Sequence, residues 1–385
     1  MKTIRFLSKK YVWLTLSLFI FTNCMDSTAS QQAPPPDRTS RKIQLALLLD
    51  TSNSMDGLID QAKSQLWNIV NELARARCDE GRPELQIALY EYGNDNLPQS
   101  EGFIRLVTPL TNDLDQISKD LFKLTTNGGD EYCGEVIQKS LKQLNWTQNN
   151  NDLQLIYIAG NEPFTQGRVN YRTSCTNARE KHVVVNTIFC GDFNEGINTS
   201  WKNGADLTGS SYASIEQNRR TVYIASPYDS RISELNRLLN DTYIPYGSLG
   251  SEKKENQLMQ DSNAESYGQV NMVKRAVSKS SHVYDNTSWD LVDATQKAGV
   301  KVEDLDDKSL PKEMQPMNDA ERKAYVEQKK NERAKIQSEI QELNQKRIAY
   351  VAEQQEEESG DEMLEKAVLT PLKSQARTKG FIIED

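Results

Sequence analysis

Residues 43–54 read Ile43-Gln44-Leu45-Ala46-Leu47-Leu48-Leu49-Asp50-Thr51-Ser52-Asn53-Ser54, a mostly apolar run that stops at a carboxylate and a set of hydroxyls. Such a run reads as a strand buried on both faces, so the oxygens stand where the chain leaves a sheet. Asp50, Ser52 and Ser54 at alternate positions suit a hard divalent cation. Mg²⁺ takes near-octahedral oxygen ligands and keeps several waters, leaving only a few places for short side chains. The same residue types also suit an Asx turn and a helix cap. The choice between a site and a cap depends on what else reaches this point.

Outward from there, Leu58, Ile59, Ala62, Leu66, Ile69, Val70 and Leu73 recur at three- and four-residue spacing, one apolar face of a helix. A second strand is expected over Leu85 to Tyr92. Gly93, Asn94 and Asp95 then turn the chain, and Phe103 to Leu110 returns as an antiparallel edge strand. A short helix over 113–124 leads to Thr125-Thr126-Asn127-Gly128-Gly129-Asp130, where glycine lets the backbone approach a site closely, and a helix over 132–144 follows. Further strands are expected at Leu153 to Ala159, Val183 to Phe189 and Thr221 to Ala225. This alternation predicts an α/β, Rossmann-like domain over 42–247 with a mostly parallel sheet, one antiparallel edge strand and helices on both faces. Ligands of such sheets bind beyond the carboxyl ends of the strands, where strand order reverses. The Asp50 loop, the Gly128 loop and the segment after Ala159 share that rim.

The cluster Asp50, Ser52 and Ser54, taken with the strand pattern, resembles the von Willebrand factor A (VWA) domain and its metal-ion-dependent adhesion site, built on D-x-S-x-S. The resemblance implies a bound divalent cation, Mg²⁺ or else Mn²⁺ or Ca²⁺, completed by a threonine after the paired glycines and an aspartate after the fourth strand. The sequence departs at both places. Gly128-Gly129 is followed by Asp130, and the strand exit reads Ala159-Gly160-Asn161-Glu162-Pro163. Two carboxylates bring a doubly charged ion close to neutrality, and Asp130 preserves that tally if it replaces the missing aspartate. The alternative is a decayed site in which Asp130 caps the next helix. Thr126 and Glu162 are further candidates, as a water-mediated ligand and a rim carboxylate. In the resembled domains an ion with an open position accepts an acidic side chain of a protein partner. Hydrolysis of an envelope peptide or glycan would need a base beside metal-bound water, for which only Glu131 or Glu162 is at hand. A binding module is therefore expected and an enzyme is the alternative.

The N-terminal region carries Lys2, Arg5, Lys9 and Lys10 before a mostly apolar stretch, Tyr11 to Thr22, too short to span a bilayer. Residues 1–24 read as a secretory signal. Cys24 resembles the lipidated cysteine of bacterial lipoproteins, although Phe21-Thr22-Asn23 departs from the strict pattern and an ordinary cleaved signal is the alternative. The expectation is a protein of the bacterial cell envelope, at the outer membrane or periplasmic face, touching the membrane through its N-terminal lipid only. Residues 25–41, with Pro34, Pro35 and Pro36, form a tether. A net charge of −9 without a basic stripe argues against nucleic acid. Cys78 is expected to stay unpaired at the far end of the first helix, with at most one disulfide among Cys133, Cys175 and Cys190.

Residues 248–317 are polar and read as a linker with small helical segments at 269–278 and 288–297. Residues 318–385 begin with a long charged helix reaching about Glu357, opened by Asn318 and Glu321 at capping-box spacing. Ile336, Ile340, Leu343 and Tyr350 lie near heptad spacing, but Lys329, Arg333 and Arg347 occupy equivalent places. The expected partner of this helix is the chain's own segment 362–374 rather than a coiled coil, and the helix is expected to be dispensable for folding.

Overall fold

The computed structural model describes residues 41–79, 81–216, 218, 224–354 and 364–383. The signal segment, Cys24 and the tether up to residue 40 lie outside the described residues. The first half comprises β1 (Lys42–Asp50), α1 (Asp56–Leu73), β2 (Ala76–Arg77), β3 (Glu84–Tyr92), β4 (Ile104–Thr111), α2 (Leu114–Phe122), α3 (Cys133–Gln143) and β5 (Leu153–Gly160). It continues through α4 (Tyr171–Glu180), β6 (Val184–Cys190), α5 (Phe193–Asn198), α6 (Trp201–Asp206) and β7 (Tyr212–Ile215).

The main sheet has the order β4-β3-β1-β5-β6-β7, parallel except for β4 at one edge. Side chains of β1 alternate between its two faces, as the period of two requires. Leu45, Leu47 and Leu49 join α1, α2 and the later helices, while Ala46 and Leu48 join α3, α4 and Trp201. Strand order reverses between β1 and β5, whose carboxyl ends are Asp50 and Gly160. That is the position at which open α/β sheets bind ligands. The sixth strand corrects the sequence expectation. It is Tyr212–Ile215, parallel to β6, while 221–223 lie outside the described residues and Ile224 and Ala225 are not in a strand. A short, half-buried edge strand has no continuous apolar run to announce it.

The second half forms α7 (Asp229–Asn240), α8 (Gly250–Ser266), α9 (Gln269–Lys279), α10 (Leu291–Lys297), α11 (Asp319–Gln354), α12 (Leu364–Thr378) and β8 (Ile382–Ile383). The expected polar linker is thus largely helical. Its lack of large apolar side chains is met by buried polar pairing. Arg275 of α9 is fully buried between Asp115 of α2 (2.7 Å) and Asp261 of α8 (2.8 Å), and Lys279 also meets Asp261 (2.9 Å). Buried charges persist where they are paired and hydrogen-bonded in this way.

Helix α11 opens with the reciprocal capping box read from the sequence, Asn318 N–H to Glu321 (2.9 Å) and Glu321 N–H to Asn318 (3.0 Å). Its partners correct the expectation, for it lies mainly against α7, α9 and α10 rather than segment 362–374. Two of the three charged heptad places that thinned the seam turn inward. Arg333 donates to Asp290 (2.6 Å) and Asp293 (2.8 Å) and lies over the Tyr243 ring, and Arg347 meets Asp229 at 2.9 Å. Helix α12 covers β5, β6 and β7 beside α1 and puts Val368 and Leu372 into the core. The buried Tyr157 hydroxyl donates to the Val368 carbonyl at 2.8 Å. Cys133, Cys175 and Cys190 are buried free thiols, and Cys78 is half-buried.

Candidate metal centre

The strand β1 delivers Asp50 fully buried to the rim, where its Oδ1 accepts the Ser52 N–H at 2.7 Å. This is the Asx turn anticipated as the plainer reading. The cap half of that reading does not hold, because α1 starts at Asp56, behind Met55, and makes no side-chain cap bond. Asp50 is therefore buried without a capping duty. The Ser52 and Ser54 hydroxyls lie 3.5 Å apart, and the Asn161 amide donates to Ser54 Oγ at 3.1 Å.

The second carboxylate is Glu131, not Asp130. Glu131 is 2 % exposed and meets both Asp50 and Ser52 within hydrogen-bonding reach. Its backbone N–H donates to Gln166 Oε1 (2.6 Å), and the Glu162 N–H approaches Glu131 Oε2 (3.4 Å). Asp130 faces solvent and accepts from the Tyr132 hydroxyl at 2.9 Å. It does not cap α3 either, whose cap residue is Tyr132 with no side-chain cap bond. Successive residues of an extended segment point to opposite sides, so the loop can bring only one of the two inward.

Two glycines make room. Gly93 has φ +79°, and a Cβ there would fall 2.8 Å from both Asp50 Oδ1 and Glu131 Cγ. At Gly160, where the family carries its aspartate, a Cβ would lie 2.5 Å from the Tyr92 hydroxyl and 3.1 Å from Asp50 Oδ2. Tyr92, buried and donating to the Ala159 carbonyl at 2.9 Å, fills the space that the absent aspartate would need. In this chain the second buried carboxylate stands on the Gly128 loop, and the strand exit at Gly160 has no room for one.

The remaining candidates stand at the rim outside this cluster. The Thr126 hydroxyl donates to Asp56 at the start of α1, and the loop is stitched to the site by Asn127 N–H to the Thr51 carbonyl (3.0 Å). Glu162 is half-buried beside Glu131, its carbonyl held by the Trp201 indole at 2.8 Å. Burial, followed by contact with Glu131, raises the Asp50 pKa well above the ordinary carboxylate value. Burial also raises that of Glu131, and the Glu162 charge adds to the effect. Two buried carboxyl groups in contact need a shared proton or a cation between them. Oδ2 of Asp50 and Oδ1 of Asn161 are buried, and among the described residues no N–H or O–H donor reaches either.

These oxygens fit a divalent cation. Asp50, Ser52, Ser54 and Glu131 would hold it, with Asn161 alongside, and it would supply a local positive charge with a coordination position for an outside oxygen. Among the described residues no three His, Cys, Asp or Glu side chains group as a metal cluster by themselves, so hydroxyl and amide oxygens are needed to complete the set. The sequence reading missed Glu131 as a ligand and Asn161 and Tyr92 altogether. The glycine pair pointed to the loop but could not say which of the next two side chains turns inward.

An open, mostly parallel α/β sheet with an oxygen cluster at its topological switch point defines the class of this protein. Residues 44–224 match the family model for the von Willebrand factor type A domain, so the chain carries a VWA domain there. Among solved structures it is similar to the SpRpn10 VWA domain, at 17% identity over 45% of this chain and 88% of that one, TM-score 0.35. It is also similar to BatB from Bacteroides thetaiotaomicron, at 14% identity over 45% of this chain and 90% of that one, TM-score 0.35. A third is proximal thread matrix protein 1 from the mussel byssus, at 13% identity over 46% of this chain and 42% of that one, TM-score 0.33. No curated protein matches the sequence. VWA domains mediate protein–protein interaction or adhesion in general, and many hold a divalent metal at their adhesion site.

Proposed function

We propose that this protein binds one divalent cation, Mg²⁺ or else Mn²⁺ or Ca²⁺, through Asp50, Ser52, Ser54 and Glu131, and uses the rim around it to bind another protein at the cell envelope. The observation that carries the reading is the contact of two buried carboxyls beside two serine hydroxyls. A doubly charged ion neutralises that pair. Because the pair already balances the ion, a carbonyl or hydroxyl oxygen of the partner serves at the open position as well as the acidic side chain expected from the family. We take the protein to be a binding module rather than an enzyme, since Glu131, the nearest potential base, is committed to Asp50. We also take Cys24 to be the lipid-bearing anchor. Among the described residues no helix is long and apolar enough to cross a membrane.

Isothermal titration with Mg²⁺ and Mn²⁺ tests the ion. One weak site is expected, lost in Asp50→Ala and weakened about tenfold or more in Glu131→Gln. Retained affinity in Glu131→Gln would overturn this ligand set. Recovery of a defined envelope protein with Mg²⁺ and not with a chelator tests the partner reading.

A further inference from the structure

The two ends of the main sheet differ in exposed charge. Around the cation rim Asp56, Asp95, Asp130 and Asp192 are exposed, with Arg105, Arg168 and Arg172 among them. At the other end, where β1, β3, β5 and β6 begin, the exposed charges include Arg77, Arg82, Lys142, Arg179, Lys181 and Arg377, with Asp79 and Glu180 among them. These cations come from separate elements brought together by the fold. Arg77 is on β2, Lys142 and Arg179 are near the ends of α3 and α4, and Arg377 is in the last turn of α12. Lys181 is fixed to the same end by its bond to the Leu141 carbonyl at 3.2 Å. Ile382, 65% exposed, pairs directly with Arg77 across the β2–β8 ribbon. An exposed isoleucine among arginines and lysines offers both an apolar tip and phosphate-binding cations.

We propose that this basic end docks on an anionic lipid bilayer, with Ile382 entering the interface and the arginines and lysines contacting headgroup phosphates. The chain itself points to that occupant, since residues 1–40 join the folded domain at Arg41, which is held at the same end by Asp152 and the Lys379 carbonyl. The inference rests on the anchored reading given above and is independent of the cation. An overall charge of −9 does not oppose it. Nine residues of β1 span roughly 30 Å, nearly four Debye lengths at physiological salt, so the carboxylates of the rim are screened from a surface at the basic end. The bilayer then holds the domain with its cation rim facing outward.

The test is partitioning of the full chain onto vesicles of phosphatidylcholine, and of phosphatidylcholine with a third phosphatidylglycerol, at low and high salt. Binding to neutral vesicles reports the N-terminal anchor, and the excess on anionic vesicles reports the basic end. Each cation near an anionic surface contributes enough that the triple change Arg82→Gln, Lys181→Gln, Arg377→Gln should lower the anionic excess by about a hundredfold. The matched triple Lys323→Gln, Lys335→Gln, Lys346→Gln on α11 should leave it unchanged. Equal partitioning of the unaltered chain on both vesicles, or equal losses in the two triples, would overturn the proposal. Absence of binding to neutral vesicles with the anionic excess intact would count against the anchor alone.

Discussion

Removal of α12 and β8 by ending the chain after Gln354 should unfold the VWA domain, although both lie far beyond its last main-sheet strand in sequence. Leu364, Val368, Leu372, Phe381 and Ile383 are each no more than 4 % exposed. At about 2 kcal/mol per fully buried large apolar side chain, they contribute about 10 kcal/mol gross, the size of a typical net stability. The cleaner perturbation is Leu372→Ala, at a fully buried position within the cluster that unites α1, the sheet and α12. A leucine truncated in such surroundings costs about 3 kcal/mol, within the range set by how well the cavity collapses. At roughly 2 °C per kcal/mol for a chain of this size, the thermal midpoint should fall by about 6 °C. Circular dichroism melting, with urea unfolding to confirm an unchanged slope, measures it. If the chain ending at Gln354 melts at the midpoint of the full chain, α12 is an appendage and the reasoning fails. The expectation that the long helix is dispensable for folding cannot be tested by a cut before it, at Gln315, because that cut also removes α12.

Asp130→Asn should leave cation affinity within about twofold, whereas Glu131→Gln should lower it by about tenfold or more, both read by calorimetry. Gly93→Ala forces a Cβ against Asp50 and Glu131 at positive φ, so it should weaken cation binding and cost about 1–3 kcal/mol in urea unfolding. Arg333→Ala leaves Asp290 and Asp293 buried without their guanidinium and should cost about 3–5 kcal/mol, while release of α11 shows as faster hydrogen exchange along that helix. Burial, with Arg82 adding to it, lowers the His282 pKa to about 4 from 6.5. The unfolded chain then binds the extra proton between those values, so this residue makes stability rise with pH across that window. His282→Gln should flatten that part of the curve, and an unchanged difference between pH 4 and 6.5 would refute the assignment.

The site was legible down to the choice of loop. Continuous apolar strands and abrupt oxygen clusters are local signals, so Asp50, Ser52 and Ser54 could be placed on the rim from residue order alone. The move of one carboxylate from the strand exit to the glycine loop was also readable as a compensation of charge. Which residue of the pair Asp130 and Glu131 carries it was not, because the direction of a side chain in an irregular loop is set by what packs on its other side. Here that is the Tyr132 hydroxyl holding Asp130 in solvent, and Gly93 leaving room for Glu131.

By itself the sequence determined the α/β class, the buried strands, the antiparallel edge and the capping box of α11, since each rests on periodicity or spacing within a few residues. Tertiary structure alone decided the rest. The charged positions of α11 looked like breaks in an apolar seam until Asp229, Asp290 and Asp293, from 40 to 118 residues away, supplied their partners. The polar face of α8 looked unable to pack until Arg275 and Lys279 met Asp261 within the fold. Helix α12 returned across more than 200 residues to finish the sheet, with its Val368 carbonyl accepting from Tyr157. Local pattern shows which side chains would be costly to leave in water. Only the closed fold shows which distant groups repay burying the others.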